Sequence, residues 1–513
     1  MMTALKILAA LICIAALAII AARAIFASPP IEGRTDSTAL PPPEDTPLSK
    51  AVLSQGRDHP GTTGVLALGS GADAFAARMI LAGTAVSSID AQYYIWHDDM
   101  TGSLLLDALK RAADRGVRVR LLLDDHGTSG LDGPLAALNA HENAEVRLYN
   151  PFNLRRFKML SYGFDFFRLN RRMHNKSFTV DGAATILGGR NVGDEYFDTG
   201  PTALYVDLDV LAVGHVVPEV AADFDRYWAA KAVYPAGPIV GAVPGGDPIG
   251  ARVMQFEGDP QLTEYRDIMT ASHLIPALQD GTAEIEWTDA ILVSDDPKKG
   301  LGAVPREDLL ASRLMQAVGK IETRFDGISP YFVPGKAGVN AFATLEDRGI
   351  QTRMLTNSLE ATDVLPVHAG YAKRRRDLLK GGTRLFELQQ QGAIETPKDK
   401  MGPFGSSGAS LHAKTFAVDG ERIFIGSFNF DPRSTTLNTE MGLLIDSEAM
   451  ATQMHEAFDR QLDGLAWEVT LEDGDLVWRN TAADSETRSE PGSSTLKSVA
   501  LTVIGWLPVE WLL

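Results

Sequence analysis

The residues best suited to chemistry occur as a repeated pattern of histidine, lysine and aspartate. The pattern H-x-K-x4-D appears twice, 238 residues apart, as His174, Lys176 and Asp181 and as His412, Lys414 and Asp419. Residues two apart on an extended segment point to the same face, so each imidazole should lie beside an ammonium group. Packing alone rarely requires this alternation at one repeat position. We therefore predict that both copies are catalytic.

This set of side chains suits displacement at a phosphodiester. Two lysines, together with the side-chain amides of Asn191 and Asn429, could bind the equatorial oxygens without a metal ion. One imidazole could attack phosphorus while the other protonates the leaving alcohol. The second would then deprotonate the incoming acceptor. We expect no metal and no cofactor.

Acidic residues are candidates for orienting the two imidazoles. We predict this role for Glu440 and Asp207, although Asp209 competes with Asp207. Asp181 and Asp419 complete the motif and belong to the candidate catalytic set. Each of them precedes a glycine at a strand end, which favours a turn role.

The elements that must position these residues are also repeated. Residues 91–96 predict a strand, 103–115 a helix and 117–123 a second strand, with Gly116 ending the helix. The later half repeats this order over 329–333, 339–348 and 350–355. Such units are parallel crossovers. We predict an α/β fold of two similar lobes related by a pseudo-twofold duplication, each with a mixed or mostly parallel sheet flanked by helices. The active site should lie at the lobe interface.

Composition limits the classes of partner. The chain has 513 residues, is 45% apolar and carries a net charge of -18, which argues against a broad nucleic-acid surface. Phosphates must then be bound by local basic groups, for which residues 155–176 and 373–376 are candidates. The single cysteine, Cys13, excludes an intramolecular disulfide framework and a cysteine zinc site.

The two ends of the chain are hydrophobic. We predict a hydrophobic anchor or cleaved signal over 1–27, a Pro-rich linker over 28–53, lobes over 54–245 and 246–470, and a tail over 471–513. Whether this first segment is an anchor or a cleaved signal, it directs the globular part to a membrane or across it. The tail carries Trp506 and Trp511 and could lie at the membrane interface or dock on its own core.

Each H-x-K-x4-D motif is followed by a G-[GS]-x-N segment, Gly188 to Asn191 and Gly426 to Asn429. Together these motifs resemble the signature of the phospholipase D superfamily. Within it, residues 169–176, 188–197, 426–434 and 507–513 are most similar to bacterial cardiolipin synthases of the C-type group. One departure is that Gly189 stands where the second copy has Ser427. A hydroxyl contact to phosphate is therefore expected on one side only.

The resemblance implies a metal-independent phosphatidyltransferase that joins two phospholipids through a phosphatidyl-histidine. By family precedent His174 would be the nucleophile and His412 the acid and base. It further implies phosphatidylglycerol as substrate, with phosphatidylethanolamine as a candidate second lipid. From the net charge we expect no specific nucleic-acid partner, and from the hydrophobic ends a bacterial inner-membrane location with the globular part on the periplasmic side. A phospholipase D hydrolase, a secreted nuclease and an inactive membrane scaffold remain alternatives at this stage.

Overall fold

The computed structural model describes residues 2–513 except 30, 32–33, 200–204, 244, 272–276, 278–281, 391–409, 463, 481 and 508–509. Within this part, a nine-stranded sheet has the order β10-β1-β8-β6-β5-β2-β3-β4-β9. Its strands are β1 Thr63–Leu68, β2 Ser88–Ile95, β3 Arg118–Gly127, β4 Ala144–Tyr149, β5 Ser177–Val180, β6 Ala184–Gly188, β8 Asp209–Gly214, β9 Val233–Pro235 and β10 Glu286–Thr288, while β7 is Tyr205–Val206.

Two described helices precede the first strand of this sheet in the chain, and the others lie between or after its strands. They are α1 Met2–Ile25, α2 Pro47–Gly56, α3 Gly71–Thr84, α4 Met100–Asp114, α5 Asp132–Asn139, α6 Tyr162–Leu169, α7 Val217–Trp228, α8 Gly237–Val240, α9 Pro248–Gln255 and α10 Pro260–Ala271. Only the β2-β3 and β3-β4 pairs are parallel among the described strands of this sheet. The sheet is therefore mixed.

A ten-stranded sheet follows in the order β11-β18-β17-β16-β12-β13-β14-β19-β20-β21 among the described residues. Its strands are β11 Ala290–Ser294, β12 Arg324–Ile328, β13 Gln351–Asn357, β14 Arg384–Leu388, β16 Lys414–Val418, β17 Arg422–Gly426, β18 Met441–Ile445, β19 Ala466–Glu472, β20 Asp475–Asn480 and β21 Ser485–Thr487, while β15 is Ser410–Leu411. Its helices are α11 Leu310–Val318, α12 Gly335–Asp347, α13 Leu365–Lys380, α14 Pro432–Thr436, α15 Glu448–Glu456 and α16 Thr495–Trp506.

The repeated crossover forms in both lobes because the same local signals recur. Gly116 and Gly349 have φ of +93° and +80°, a left-handed conformation that ends α4 and α12 at little steric cost. The strands on either side, β2 with β3 and β12 with β13, then pair in parallel. This confirms the predicted α/β duplication.

One predicted strand is wrong in position. Residues 329–333 are not a strand, because the strand of this unit is β12, which ends at Ile328. Pro330 lacks the N–H that a ladder needs, so pairing stops before it. Phe332 and Val333 are nevertheless buried, which explains the apolar pattern of the segment.

The chain passes between the sheets later than the Gly/Pro-rich segment indicated. Glu286–Thr288 pairs with β1 in the first sheet, whereas Ala290–Ser294 pairs with β18 in the second. Helices α9 and α10 pack on α4 and α3 of the first lobe. The predicted division after residue 245 thus marks a loop on the first lobe, and the passage between sheets is at Asp289.

The predicted linker is packed against the first lobe over part of its length. Arg34 donates to the carbonyl oxygens of Ala230 and Val233, and Arg120 donates to that of Ser37. Farther along, Thr46 caps helix α2 by accepting the N–H of Ser49. The segment is thereby held against the first lobe.

The ends of the chain differ in how they meet the globular part. Among the described residues, α1 alone is long and apolar enough to cross a membrane. Near the end of α1, Arg23 donates from Nε to the carbonyl oxygen of Phe164 in α6, at 2.7 Å. The tail docks through its last residues, since Arg433 donates to the carbonyl oxygens of Leu512 and Leu513. Trp506 nevertheless stays 82% exposed, and Pro508 lies outside the described residues.

Candidate active site between the lobes

The two motif segments meet where the lobes exchange backbone hydrogen bonds. The N–H of His174 donates to the carbonyl oxygen of Thr439 at 2.9 Å, and the N–H of Thr439 donates to that of Arg172. In the mirror arrangement, β7 and β15 pair in parallel, and the N–H of His412 donates to the carbonyl oxygen of Val206 at 2.8 Å. Each histidine segment is thus fixed to the other lobe.

The imidazole of His174 is oriented by groups of the second lobe. Its Nδ1 lies 2.7 Å from Oε2 of Glu440 and 3.1 Å from the carbonyl oxygen of Ser427. A carbonyl oxygen only accepts hydrogen bonds, so Nδ1 carries the proton. The Nε2 atom is then left with its lone pair.

The imidazole of His412 is oriented in turn by the first lobe. Its Nδ1 lies 2.5 Å from Oδ2 of Asp207. Nζ of Lys414 is 2.7 Å from the same nitrogen, but an ionised carboxylate can only accept, so the Nδ1 proton belongs to the bond with Asp207. Asp209, the competing candidate, instead forms an ion pair with Arg78 at 2.7 Å.

The electrostatic environments of the two histidines differ. Burial, together with Lys176 and Lys414, holds the pKa of His174 well below its ordinary value, so this imidazole is neutral. Burial raises the pKa of its partner Glu440 to about 7, against the opposing charge of Lys176. Burial and Lys414 also lower the pKa of His412, while Asp207 opposes that shift. The pKa of Asp207 is held below its ordinary value by His412 and Lys414, despite burial.

Both lysines are buried beside their histidines. Nζ of Lys176 donates to the carbonyl oxygen of His174 at 2.5 Å, and Lys414 donates to that of His412. Burial holds the pKa of Lys176 well below its ordinary value and lowers that of Lys414 to about 8, even though Glu440 and Asp207 favour the charged form of each. Burial removes the hydration of these ammonium groups, and an anion bound between the lobes would compensate for that loss.

The two predicted amides are also buried at this interface. Asn191 accepts the N–H of Ile95 at Oδ1, at 3.2 Å. Asn429 is 2% exposed, and its Oδ1 has no hydrogen-bond partner among the described residues. In the same part of the chain, the unpartnered atom of Asn191 is its donor Nδ2, which suits a phosphate oxygen, whereas the unpartnered Oδ1 of Asn429 is an acceptor and suits a ligand hydroxyl.

Asp181 and Asp419 lie at the far ends of their strands from the histidines. Asp181 accepts the backbone N–H groups of Val86, Ser87 and Ser88. Asp419 does the same for residues 322–324 in the second lobe. Both aspartates have positive φ, which fits the turn before each following glycine. Their contacts tie neighbouring strands together.

The departure at Gly189 and Ser427 has a steric cause. A Cβ atom on Gly189 would lie 2.0 Å from Oδ1 of Asp207, so no side chain fits beside that carboxylate. In the second lobe, Oγ of Ser427 donates to Oε2 of Glu440 at 2.5 Å. The serine hydroxyl therefore supports the Glu440–His174 pair, a contact that the sequence did not predict.

Family models provide the observation that places the chain among known proteins. The model described as cardiolipin synthase, PLD-like domain matches residues 80–228 and 313–462. The chain belongs to the phospholipase D superfamily. It is 48% identical over 472 residues to cardiolipin synthase C of Escherichia coli (strain K12), covering 91% of this chain and 99% of that protein. It is 27% identical over 390 residues to cardiolipin synthase A of Pseudomonas entomophila (strain L48), covering 75% and 66% of the two chains.

A solved structure agrees at the level of the fold. Phosphatidylserine synthase of Haemophilus influenzae Rd KW20 superposes with a TM-score of 0.56 at 15% identity, covering 91% of this chain and all of that one. The structure comparison confirms the predicted fold, and the family model and the 48% identical relative confirm the predicted superfamily and enzyme class. This phospholipase D superfamily member is a phosphodiester transferase whose substrates are phospholipids, and α1 fits an inner-membrane protein.

Aromatic rings around the two histidines escaped prediction. Tyr94 lies 5.0 Å from the His174 ring, and Tyr196 and Tyr205 lie 5.1 and 5.0 Å from the His412 ring. Their positions in or beside strands made them indistinguishable from core residues. The tyrosine pair at 93–94, in a strand of the repeated unit, was the sequence feature that could have indicated aromatic rings at the site.

Among the described residues, one group of side chains outside the motifs has metal-ligand character. The ligand atoms of His97, Asp99 and Glu195 lie within 4.8 Å of one another. Both carboxylate oxygens of Asp99 already accept backbone N–H groups, from Gly102 and Asp194. The group therefore joins the loop after Asn191 to the start of α4.

Most of the charged side chains in the two basic clusters form ion pairs with carboxylates. Of the first, Arg155 and Lys158 pair with Asp125, and Arg172 pairs with Asp124. Of the second, Arg375 pairs with Glu387 and Glu490, and Arg374 with Glu510. The charges of these residues therefore contribute mainly to structure.

The rate should depend on pH through Glu440 and the two motif lysines. Below about pH 7 protonation of Glu440 removes the carboxylate that holds His174. On the alkaline side the lysines lose their charge, because burial holds the pKa of Lys176 well below its ordinary value and lowers that of Lys414 to about 8. We expect kcat/KM against pH to be a narrow bell, with an acid limb near pH 7 and an alkaline limb that begins no higher than about pH 8. Initial rates on micellar phospholipid from about pH 5 to 10 measure this, and Glu440→Gln should flatten the acid limb. An unchanged acid limb in that variant would exclude Glu440 as its source.

Proposed function

We propose that this enzyme synthesises cardiolipin from two phospholipids through a phosphohistidine intermediate. The observation that supports the proposal most directly is the pair of buried imidazoles, each held by a carboxylate of the other lobe and flanked by a lysine. The catalytic set we assign is that of the sequence, with Glu440 and Asp207 orienting the histidines. We keep Asp181 and Asp419 in this set because their hydrogen bonds hold the neighbouring strands together.

In the first half of the reaction His174 is the proposed nucleophile. Its Nε2 lone pair attacks phosphorus of phosphatidylglycerol, and the P–N bond forms as the P–O bond to the glycerol headgroup breaks. His412 gives its Nε2 proton to the departing oxygen. Burial and Lys414 lower the pKa of His412, but the ionised Asp207 opposes that shift, and the negative charge of a bound substrate would add to the effect of Asp207 and favour the imidazolium.

In the second half the roles at phosphorus reverse. His412 takes the proton from a headgroup hydroxyl of a second phosphatidylglycerol as that oxygen attacks phosphorus, and the P–N bond to His174 breaks. The products of the two halves are glycerol and cardiolipin. Lys176, Lys414 and the two amides bind the oxygens on which charge accumulates.

The membrane anchor supports this choice of substrates. Helix α1 meets the first lobe at α6, in the stretch that leads into His174, and Phe157, Met159, Leu160 and Phe167 are exposed there. Exposed apolar side chains beside a membrane helix suit insertion at the interface. We propose that this face contacts the outer leaflet of the inner membrane, with the globular part in the periplasm.

The test is product analysis with purified full-length enzyme in mixed micelles. Phosphatidylglycerol should give cardiolipin and free glycerol by mass spectrometry, and added phosphatidylethanolamine reports whether it serves as the second lipid. Phosphatidic acid as the sole lipid product would replace the proposal with a hydrolase. Cleavage of DNA without lipid turnover would replace it with a nuclease, and no turnover of either would leave a scaffold.

A further inference from the structure

Asp363 stands at the rim of the active site without a basic partner. It lies between β13 and α13, is exposed, and accepts at Oδ2 the hydroxyl groups of Tyr331 at 2.8 Å and Tyr205 at 3.4 Å. In the described part of the chain, no lysine, arginine or histidine forms an ion pair with it, and both tyrosine hydroxyls donate to Oδ2 rather than to Oδ1. One carboxylate oxygen is therefore open to a ligand.

The tyrosines connect this carboxylate to His412. The ring of Tyr205 lies 5.0 Å from the His412 ring and 5.0 Å from Tyr196, which itself lies 5.1 Å from His412. The charge of Asp363 also contributes to the environment of Lys414. The side chain of Tyr205 thus connects Asp363 to the imidazole that is the proposed acid and base.

The His174 side of the cleft has the opposite character. Tyr94, in contact with His174, stacks on His126 at 5.9 Å, and burial together with Arg172 lowers the pKa of His126 to about 4. The acidic residues there are already paired, Asp124 with Arg172 and Asp125 with Arg155. The described carboxylates on the His174 side are therefore neutralised by arginines, whereas that of Asp363 on the His412 side has no such partner in the described part of the chain.

We propose that Asp363, Tyr205 and Tyr331 form the subsite for the polar headgroup of the phospholipid, which they recognise by its hydroxyl or ammonium hydrogen-bond donors. The inference rests on the proposed function. The headgroup leaves from this subsite when His412 protonates its oxygen and the P–O bond breaks. The acceptor headgroup then enters the same subsite and gives its hydroxyl proton to His412 as the P–N bond breaks.

The subsite makes a prediction that a purely structural role for Asp363 does not. Asp363→Asn removes the charge but keeps the tyrosine contacts, so KM for phosphatidylglycerol should rise about 10-fold while kcat stays within about 3-fold. The substrate phosphatidyl-p-nitrophenol has no donor on its leaving group. Its release of p-nitrophenol should therefore be unchanged in the variant.

The matched control is Asp347→Asn, which removes one exposed carboxylate on α12, and Tyr331→Phe tests a second member of the subsite. All variants are measured as full-length enzyme in the same micelles. An equal effect of Asp363→Asn on both substrates, or an effect on neither, would overturn the subsite. Failure of the wild-type enzyme to turn over phosphatidylglycerol would instead overturn the proposed function.

Discussion

The His412→Ala variant should release one equivalent of p-nitrophenol per active site from phosphatidyl-p-nitrophenol, and the His174→Ala variant should release none. p-Nitrophenolate is a good leaving group that needs no proton, so the first half of the reaction can proceed without His412. It cannot proceed without a nucleophile. The second half still needs a base, and the adduct on His174 should therefore accumulate in His412→Ala.

Steady-state turnover of phosphatidylglycerol should fall by about 10²–10⁴-fold or more in both variants, because general acid and base catalysis is lost in one and the covalent route in the other. Stopped-flow absorbance measures the burst, and intact-protein mass spectrometry detects the phosphatidyl adduct. His215→Ala, at an exposed histidine on the first lobe, is the matched control and should behave as wild type. A burst from His174→Ala instead would reverse the two roles.

The repeated histidines and lysines could be predicted because their relation is local. Alternation along a strand places His174 beside Lys176 whatever the rest of the chain does. The repeat itself predicted two lobes, since a crossover unit cannot bury its sheet alone. These inferences need no knowledge of distant contacts.

The partners of the histidines could not be predicted with the same certainty. Asp207 and Asp209 are two residues apart and share a face by alternation, so sequence does not separate them. Arg78, 131 residues earlier on α3, takes Asp209 and leaves Asp207 to His412. The choice is made by a long-range contact.

The same reason explains the basic clusters and Ser427. In the sequence, Arg155, Arg172 and Arg375 resemble phosphate ligands. In the fold, each forms an ion pair with a carboxylate that is at least 12 residues away along the chain. Ser427 looked like a phosphate contact, and the structure gives its hydroxyl to Glu440. A buried charge must be satisfied, and the partner that does so is decided by topology.

Replacing Gly189 by alanine should lower steady-state turnover of phosphatidylglycerol at least about 100-fold. The added Cβ would lie 2.0 Å from Oδ1 of Asp207, and Oδ1 already accepts the N–H of Leu208 at 2.8 Å. The carboxylate must shift, and His412 loses its orientation and the charge that favours its protonated form. Loss of such an orienting contact costs about 10–100-fold, and more where it fixes the tautomer.

With phosphatidyl-p-nitrophenol, the effect of Gly189→Ala should be confined to the second half of the reaction, because only that half still needs His412. Gly189→Ala should keep the p-nitrophenol burst, whereas Ser427→Gly, which frees Glu440 beside His174, should slow the burst about 10-fold. Gly83→Ala is the control, since its Cβ would meet nothing within 4 Å. Thermal melting separates folding from chemistry, and Asp207→Asn removes the same carboxylate charge without the added volume. Normal turnover in both Gly189→Ala and Asp207→Asn would show that the cross-lobe carboxylate does not orient the acid, because no other described carboxylate bonds His412.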